Sequence, residues 1–292
     1  MYKRTYKFSW QAAGIFVALF ATQLMAQPPQ RNIVNTNIVL PNTLIKKIHS
    51  KINGVDYKLY INLPSNYGGN QQKYPIIYLL DADYSFPLAK QISEHLADRN
   101  RIQKSIIVGI SYSGDNQYKM NRTRDYTPTF VATGGYGEEY QKNSGGAEQF
   151  YQFMSKELFP FIAHKLRVND KKTFVGHSYG GLYGAYVLVK HPNAFDNYII
   201  VSPSLWYDNH FLIKLLSQSA SFNPKHAVNV NFSIGADENK GDYRMVDDLV
   251  VFYNRLKNKN IDRTQVTLKI LNDLDHDTVF PMGLTIGLMS MK

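Results

Sequence analysis

Residues 172–192, KTFVGHSYGGLYGAYVLVKHP, set an apolar, strand-like run directly before Gly176-His177-Ser178-Tyr179-Gly180 and a glycine-studded helical run directly after it. A serine in that position stands on a sharp strand-to-helix elbow. Its neighbours must be small, because bulky ones collide with the adjoining strand and helix. The elbow requires a strand whose carboxyl end opens onto a helix, and it exposes the Ser178 hydroxyl there. The helix also points its N-terminal N–H groups at the serine, where they favour developing negative charge.

The rest of the chain follows the same alternation. Two period-2 runs around Asn53-Gly54 read as a β-hairpin. The continuous apolar run at residues 76–80 and SIIVGISY at 105–112 read as strands covered on both faces, with a helix over 88–101 between them. Further strands follow at 197–204, 228–238 and 264–271, each next to a helical run, and a last helix runs from residue 277. The pattern predicts a mostly parallel α/β sheet with an antiparallel N-terminal hairpin and helices on both faces. Residues 27–292 read as one domain. Phe150, Phe153, Met154, Leu158, Phe161 and Ile162 form a core stripe on one helix, kinked near Pro160. Residues 111–146, rich in Gly, Asn, Thr and Tyr, read as an unstructured, lid-like insertion.

Lys3, Arg4 and Lys7, an apolar stretch over residues 12–26 and small residues near Ala26 predict a secretory signal, residues 1–26. The stretch falls short of the roughly 18 to 20 residues that a membrane span needs. With no cysteine, the exported chain relies on its core without disulfides. Removing the signal takes three of the basic residues, so the net charge of +10 becomes +7, a balance that favours anionic surfaces or substrates. The basic residues never run longer than two and no basic stripe carries interleaved aromatics, which argues against nucleic acid.

A serine hydroxyl attacks well only when a histidine takes its proton and a carboxylate stabilises the imidazolium. In this architecture the acid and then the histidine follow the serine. Of the histidines after Ser178, His191 ends the elbow helix, His210 begins a helix and His226 precedes a strand. His276 lies in the loop after the last predicted strand and is the candidate base. Its neighbours Asp273, Asp275 and Asp277 lack the ligand spacing of a zinc or calcium site. Asp237 and Glu238, at the end of the preceding strand, are both placed to serve as the acid. An oxyanion would be held by the N–H of Tyr179 and by one from the loop after residue 80, at Ala82 or Asp83.

LYINLPSNY, YPIIYLLDAD, RTRDYTPT, FVGHSYGGLYGAYVLVKHPNAF, VSPSLWYDN, IGADE and DLDHDTVFP, from residue 57 to the C-terminus, resemble the esterase branch of the α/β hydrolases. That branch includes enterobactin and salmochelin esterases, feruloyl esterases, S-formylglutathione hydrolase and mycolyltransferases. RDYTPT, SPSLWYDN and the terminal histidine loop look most like the trilactone siderophore esterases. The resemblance implies an α/β-hydrolase fold, Glu238 as the acid and Asp83 as the second oxyanion donor. It also implies a substrate-contacting arginine near the lid, for which Arg122 and Arg124 are the candidates; salt bridges holding the lid are the competing role.

The expectation is an exported serine carboxylic-ester hydrolase, periplasmic or secreted, that needs no metal or organic cofactor and works through an acyl-enzyme on a siderophore-like trilactone. Tyr112, Tyr118, Tyr126, Phe130, Tyr136, Tyr140, Trp206 and Tyr207 would line a pocket for an aromatic or catecholate group, which the positive charge would also suit. Alternatives are feruloyl or acetyl esters of polysaccharide, an acyltransferase with the same residues, and a non-catalytic binder. No nucleic acid partner and no membrane span after signal cleavage are expected.

Overall fold

The computed structural model describes residues 39–114, 117–219, 224–259 and 263–291. The predicted signal, residues 1–26, lies outside them. Leu40–Lys292 clusters as one compact unit.

In chain order the elements are β1 (Thr43–His49), β2 (Asp56–Asn62), β3 (Tyr74–Leu79), α1 (Ala82–Asp98), β4 (Ile106–Tyr112), α2 (Tyr118–Tyr126), α3 (Glu138–Gln141), α4 (Ala147–Phe153), α5 (Phe159–Lys165) and β5 (Val168–His177). There follow α6 (Tyr179–Lys190), β6 (Asn197–Val201), α7 (Tyr207–Gln218), β7 (Val228–Gly235), β8 (Asn239–Lys240), β9 (Tyr243–Arg244), α8 (Met245–Lys257), β10 (Thr264–Leu271) and α9 (Phe280–Ser290). Eight strands form one sheet in the order β1-β2-β4-β3-β5-β6-β7-β10. β1 and β2 pair antiparallel to their neighbours, β4, β3, β5, β6, β7 and β10 run parallel, and β8 and β9 form a separate antiparallel pair. β5, which leads into the serine elbow, is therefore central.

Because the parallel strands are covered on both sides, their residues feed two cores alternately. Along β3, Ile76 and Tyr78 enter a large aromatic core with Phe150, Phe153, Phe174, Tyr183 and Phe195. Ile77 and Leu79 enter the other core, with Phe86 of α1 and Leu284 of α9. This is why the strands read as continuous apolar runs.

Several boundaries differ from the sequence reading. α1 begins at Ala82, not at residue 88, and takes Pro87 inside it. The β1–β2 connection is a longer loop, in which the Ser50 hydroxyl accepts the N–H groups of Ile52 and Asn53. The expected kink at Pro160 is a π-helical turn, Met154–Leu158, between α4 and α5; it accommodates the missing proline N–H. The segment read as unstructured contains α2 and α3, and its first two residues finish β4. Five of the nine residues of α2 are buried. Composition concealed this, because α2 is held by buried polar bonds rather than by an apolar stripe.

Candidate active site

Ser178 occupies the single step between β5 and α6 with φ 60 and ψ −120, a conformation that costs a non-glycine residue energy. Its surroundings hold it there. Its N–H donates to the Val201 carbonyl at 3.1 Å, and its carbonyl accepts the N–H groups of Leu182 at 2.8 Å and Ser204 at 3.2 Å. A Cβ at Gly176 would collide with the Gly180 carbonyl, so the tight return of the chain needs glycine.

β7 and β10 carry the partners to the same end of the sheet. His276 Nδ1 lies 2.8 Å from Glu238 Oε2. The other oxygen of Glu238 accepts the Ser202 hydroxyl at 2.6 Å and the Gly235 N–H at 2.7 Å. Glu238 is 4% exposed, so these donors replace the water that its carboxylate has lost. An ionised carboxylate only accepts, so Nδ1 carries the proton and Nε2 of His276 is left as the free acceptor. Asp237 is exposed, and its N–H is tied to the Leu274 carbonyl at 3.1 Å. Of the two acids open in the sequence, Glu238 is therefore the one that reaches His276. A side chain at Gly235 would strike that same Leu274 carbonyl, so the glycine lets the acid loop and the histidine loop meet.

Ser178 and His276 together line a cleft with two lobes. One, about 350 Å³, is walled by Tyr136, Tyr179, Trp206, Tyr243, Met245 and the acid loop. The other, about 340 Å³, is walled by Tyr84, Leu88, Tyr118, Arg122, Phe280 and Pro281. Trp206 lies 5.0 Å from Tyr243 and 6.0 Å from Tyr179, ring centre to ring centre, which makes one lobe strongly aromatic.

The other expected site residues divide. Tyr179 is the first residue of α6, where a helix leaves its N–H without an intrahelical acceptor. Asp83 lies in the first turn of α1, but its carboxylate turns away to Lys58, Tyr60 and Ser111; its neighbour Tyr84 reaches the cleft. Arg122 borders the cleft, yet its guanidinium is a buried fork on Asp81 at 2.7 and 3.0 Å and also donates to Tyr136. Arg124 is not brought to the cleft. It pairs with buried Asp125 at 2.7 Å and with Asn121 at 2.8 Å, because two residues apart on α2 the two arginines point to different sides.

The aromatic list thins in the same way. Tyr118, Tyr136 and Trp206 line the cleft. Tyr112, Tyr126 and Tyr207 are buried in the core, and Phe130 is exposed. Tyr140 packs edge-on against Tyr136.

The expected match between positive charge and an anionic ligand fails at this cleft. Its aromatic lobe gathers Asp237, Glu238, Asp275 and Asp277 against Lys240 alone. Lys240 is itself paired with Asp275 at 3.2 Å. Lys73, Arg101, Lys104 and Lys171 instead line a hollow of about 880 Å³ at the amino ends of the strands. Linear sequence shows how many charges there are, not which end of a sheet they reach.

Sequence reasoning missed Ser202, Tyr84 and Tyr243. Ser202, at φ 44 just past β6, anchors the acid. Its signal was the polar SPS directly after an apolar strand. Tyr243 arrives on the two-residue strand β9, too short for any periodicity.

A model of the family described as "Putative esterase" matches residues 50–262. The ferri-bacillibactin esterase BesA of Bacillus subtilis (strain 168) is 31% identical, over 74% of this chain and 78% of that enzyme. A siderophore enterobactin esterase of Emericella nidulans is 26% identical, over 74% of this chain and 81% of that enzyme. The crystal structure of the BES protein from Bacillus cereus superposes with a TM-score of 0.75 at 27% identity, covering 87% of this chain and 96% of that one. The architecture is that of the α/β hydrolases.

Proposed function

Because the chain belongs to the esterase family whose model spans residues 50–262, and is a carboxylic-ester hydrolase, we propose that Ser178, His276 and Glu238 are its catalytic residues. The observation that carries this reading is the Glu238–His276 bond at the rim of the cleft that Ser178 lines.

Ser178 Oγ attacks the ester carbonyl carbon while Nε2 of His276 takes its proton. The oxyanion that forms is held by the N–H of Tyr179 and by a second N–H at Asp83. Collapse breaks the bond to the alcohol, which leaves with the proton from His276, and Ser178 retains the acyl group. Water then repeats the sequence and releases the acid. Glu238 holds the imidazole in the required tautomer and offsets its charge.

The substrate we propose is a siderophore ester, as named for the relatives, and the cleft lining suits one that carries aromatic rings. Trp206, Tyr179, Tyr136 and Tyr243 offer faces for such rings. The surrounding carboxylates favour a form of low negative charge. Export follows from the predicted signal; no helix among the described residues is long and apolar enough to cross a membrane.

The test is hydrolysis of iron-free and ferric enterobactin beside methyl ferulate, by wild type and Ser178→Ala, with products followed by mass spectrometry. Serine-dependent release of linear trimer or monomer supports the proposal. Cleavage of the ferulate alone moves the substrate to cell-wall esters, and no turnover of any ester overturns the catalytic assignment.

A further inference from the structure

His177, the residue just before Ser178, is used by no step above. Its ring lies 4.7 Å from that of His276, centre to centre, with the planes 33° apart. It also meets the ring of Phe280 at 5.4 Å, centre to centre, with the planes 37° apart. Its Nδ1 is 3.2 Å from the Tyr84 hydroxyl. Its Nε2 is buried with no hydrogen-bond partner among the described residues, and the ring lies beside the His276 backbone. Glu238 thus restrains His276 at Nδ1, and the imidazole of His177 packs against the same ring at a tilt.

We infer that His177 is a positioning residue: a neutral aromatic brace, itself fixed by Tyr84 and Phe280, that holds the His276 ring in the plane from which it reaches Ser178. This inference rests on the proposed role of His276.

Burial, with smaller contributions from His276 and Arg122, pushes the His177 ring down to about 3, so it presents an uncharged face at working pH. The ionisable groups around the pair support this. Glu238 is spent on His276, Asp81 is taken by Arg122 and Tyr118, and Asp275 is paired with Lys240. None of them bonds His177. Asp277 and Asp237, on the cleft wall, are the other carboxylates nearby. A flat apolar ring in place of His177 should therefore serve nearly as well as imidazole, whereas loss of the ring should free His276 to tilt.

The experiment measures kcat and KM on an uncharged aryl acetate for wild type, His177→Phe, His177→Ala and His276→Ala, each corrected for folded fraction by thermal melting. We expect His177→Ala to lose about ten- to a hundredfold in kcat with KM changed little, as small misplacements of a base do. His177→Phe should recover most of that loss. Equal kcat for His177→Ala and wild type, or a loss in His177→Phe as large as in His177→Ala, overturns the brace. An active His276→Ala would instead overturn the reading on which it rests, so the two failures are distinguishable.

Discussion

Glu238 and His276 sit 2.8 Å apart although they follow different strands, and the carboxylate has no freedom left, since Ser202 and Gly235 occupy its other oxygen. Removing the charge while keeping the shape should be costly. Glu238→Gln is expected to lower kcat on an aryl acetate by about 10²- to 10⁴-fold, as loss of a tautomer-setting carboxylate does. Asp237→Asn, at an exposed neighbour bonded to His276 by nothing, should leave kcat on that uncharged ester unchanged. Steady-state kinetics on the two variants decides between them.

His177 also carries a stability prediction. Its folded pKa of about 3 lies below the ordinary histidine value because burial disfavours the charged ring. The unfolded chain therefore binds the extra proton first as pH falls. The stabilisation is complete above about pH 6.5 and is lost progressively between there and pH 3. Urea unfolding at pH 7 and pH 4.5 should show wild type losing about 2 kcal/mol more than His177→Phe across that interval. Parallel losses in the two proteins would mean that another group governs the acid limb.

The fork of Arg122 on Asp81 is buried on both sides, with side-chain exposures of 4% and 1%. Breaking such a pair strands a buried charge, so Arg122→Ala should destabilise the fold by about 3 to 5 kcal/mol. Arg122→Lys should restore little of this, because lysine cannot make the two-pronged contact. Chemical denaturation measures both. A fully stable Arg122→Ala with a raised KM would assign the arginine to substrate instead.

Carboxylates at the cleft should make the enzyme discriminate by charge. Asp237→Asn with Asp277→Asn is expected to raise kcat/KM for an anionic aryl ester by about two- to tenfold at low salt, with the gain shrinking as ionic strength rises. An uncharged ester of the same shape serves as the reference and should not respond.

The elements that pack by periodicity were legible in the sequence. The strands, the elbow at Ser178 and the loop position of His276 all follow from apolar patterning and one glycine motif. What escaped was set by contacts between distant segments. Glu238 could be separated from Asp237 only by a resemblance, because the choice depends on Ser202 and Gly235 converging on one carboxylate. The roles of Arg122 and Arg124 depended on Asp81 and Asp125, which no local pattern assigns to them. The helix read from residue 88 in fact begins at Ala82 and carries Pro87 inside it, a position that proline's missing N–H argues against locally.

The most direct test of the central claim is covalent labelling with an uncharged fluorophosphonate, read by intact mass and peptide mapping. Wild type should gain one phosphonyl group, on the peptide containing Ser178, and His276→Ala should label far more slowly. A label on another residue, or a His276→Ala protein that reacts as fast as wild type, would contradict the assignment of Ser178 as nucleophile and His276 as its base.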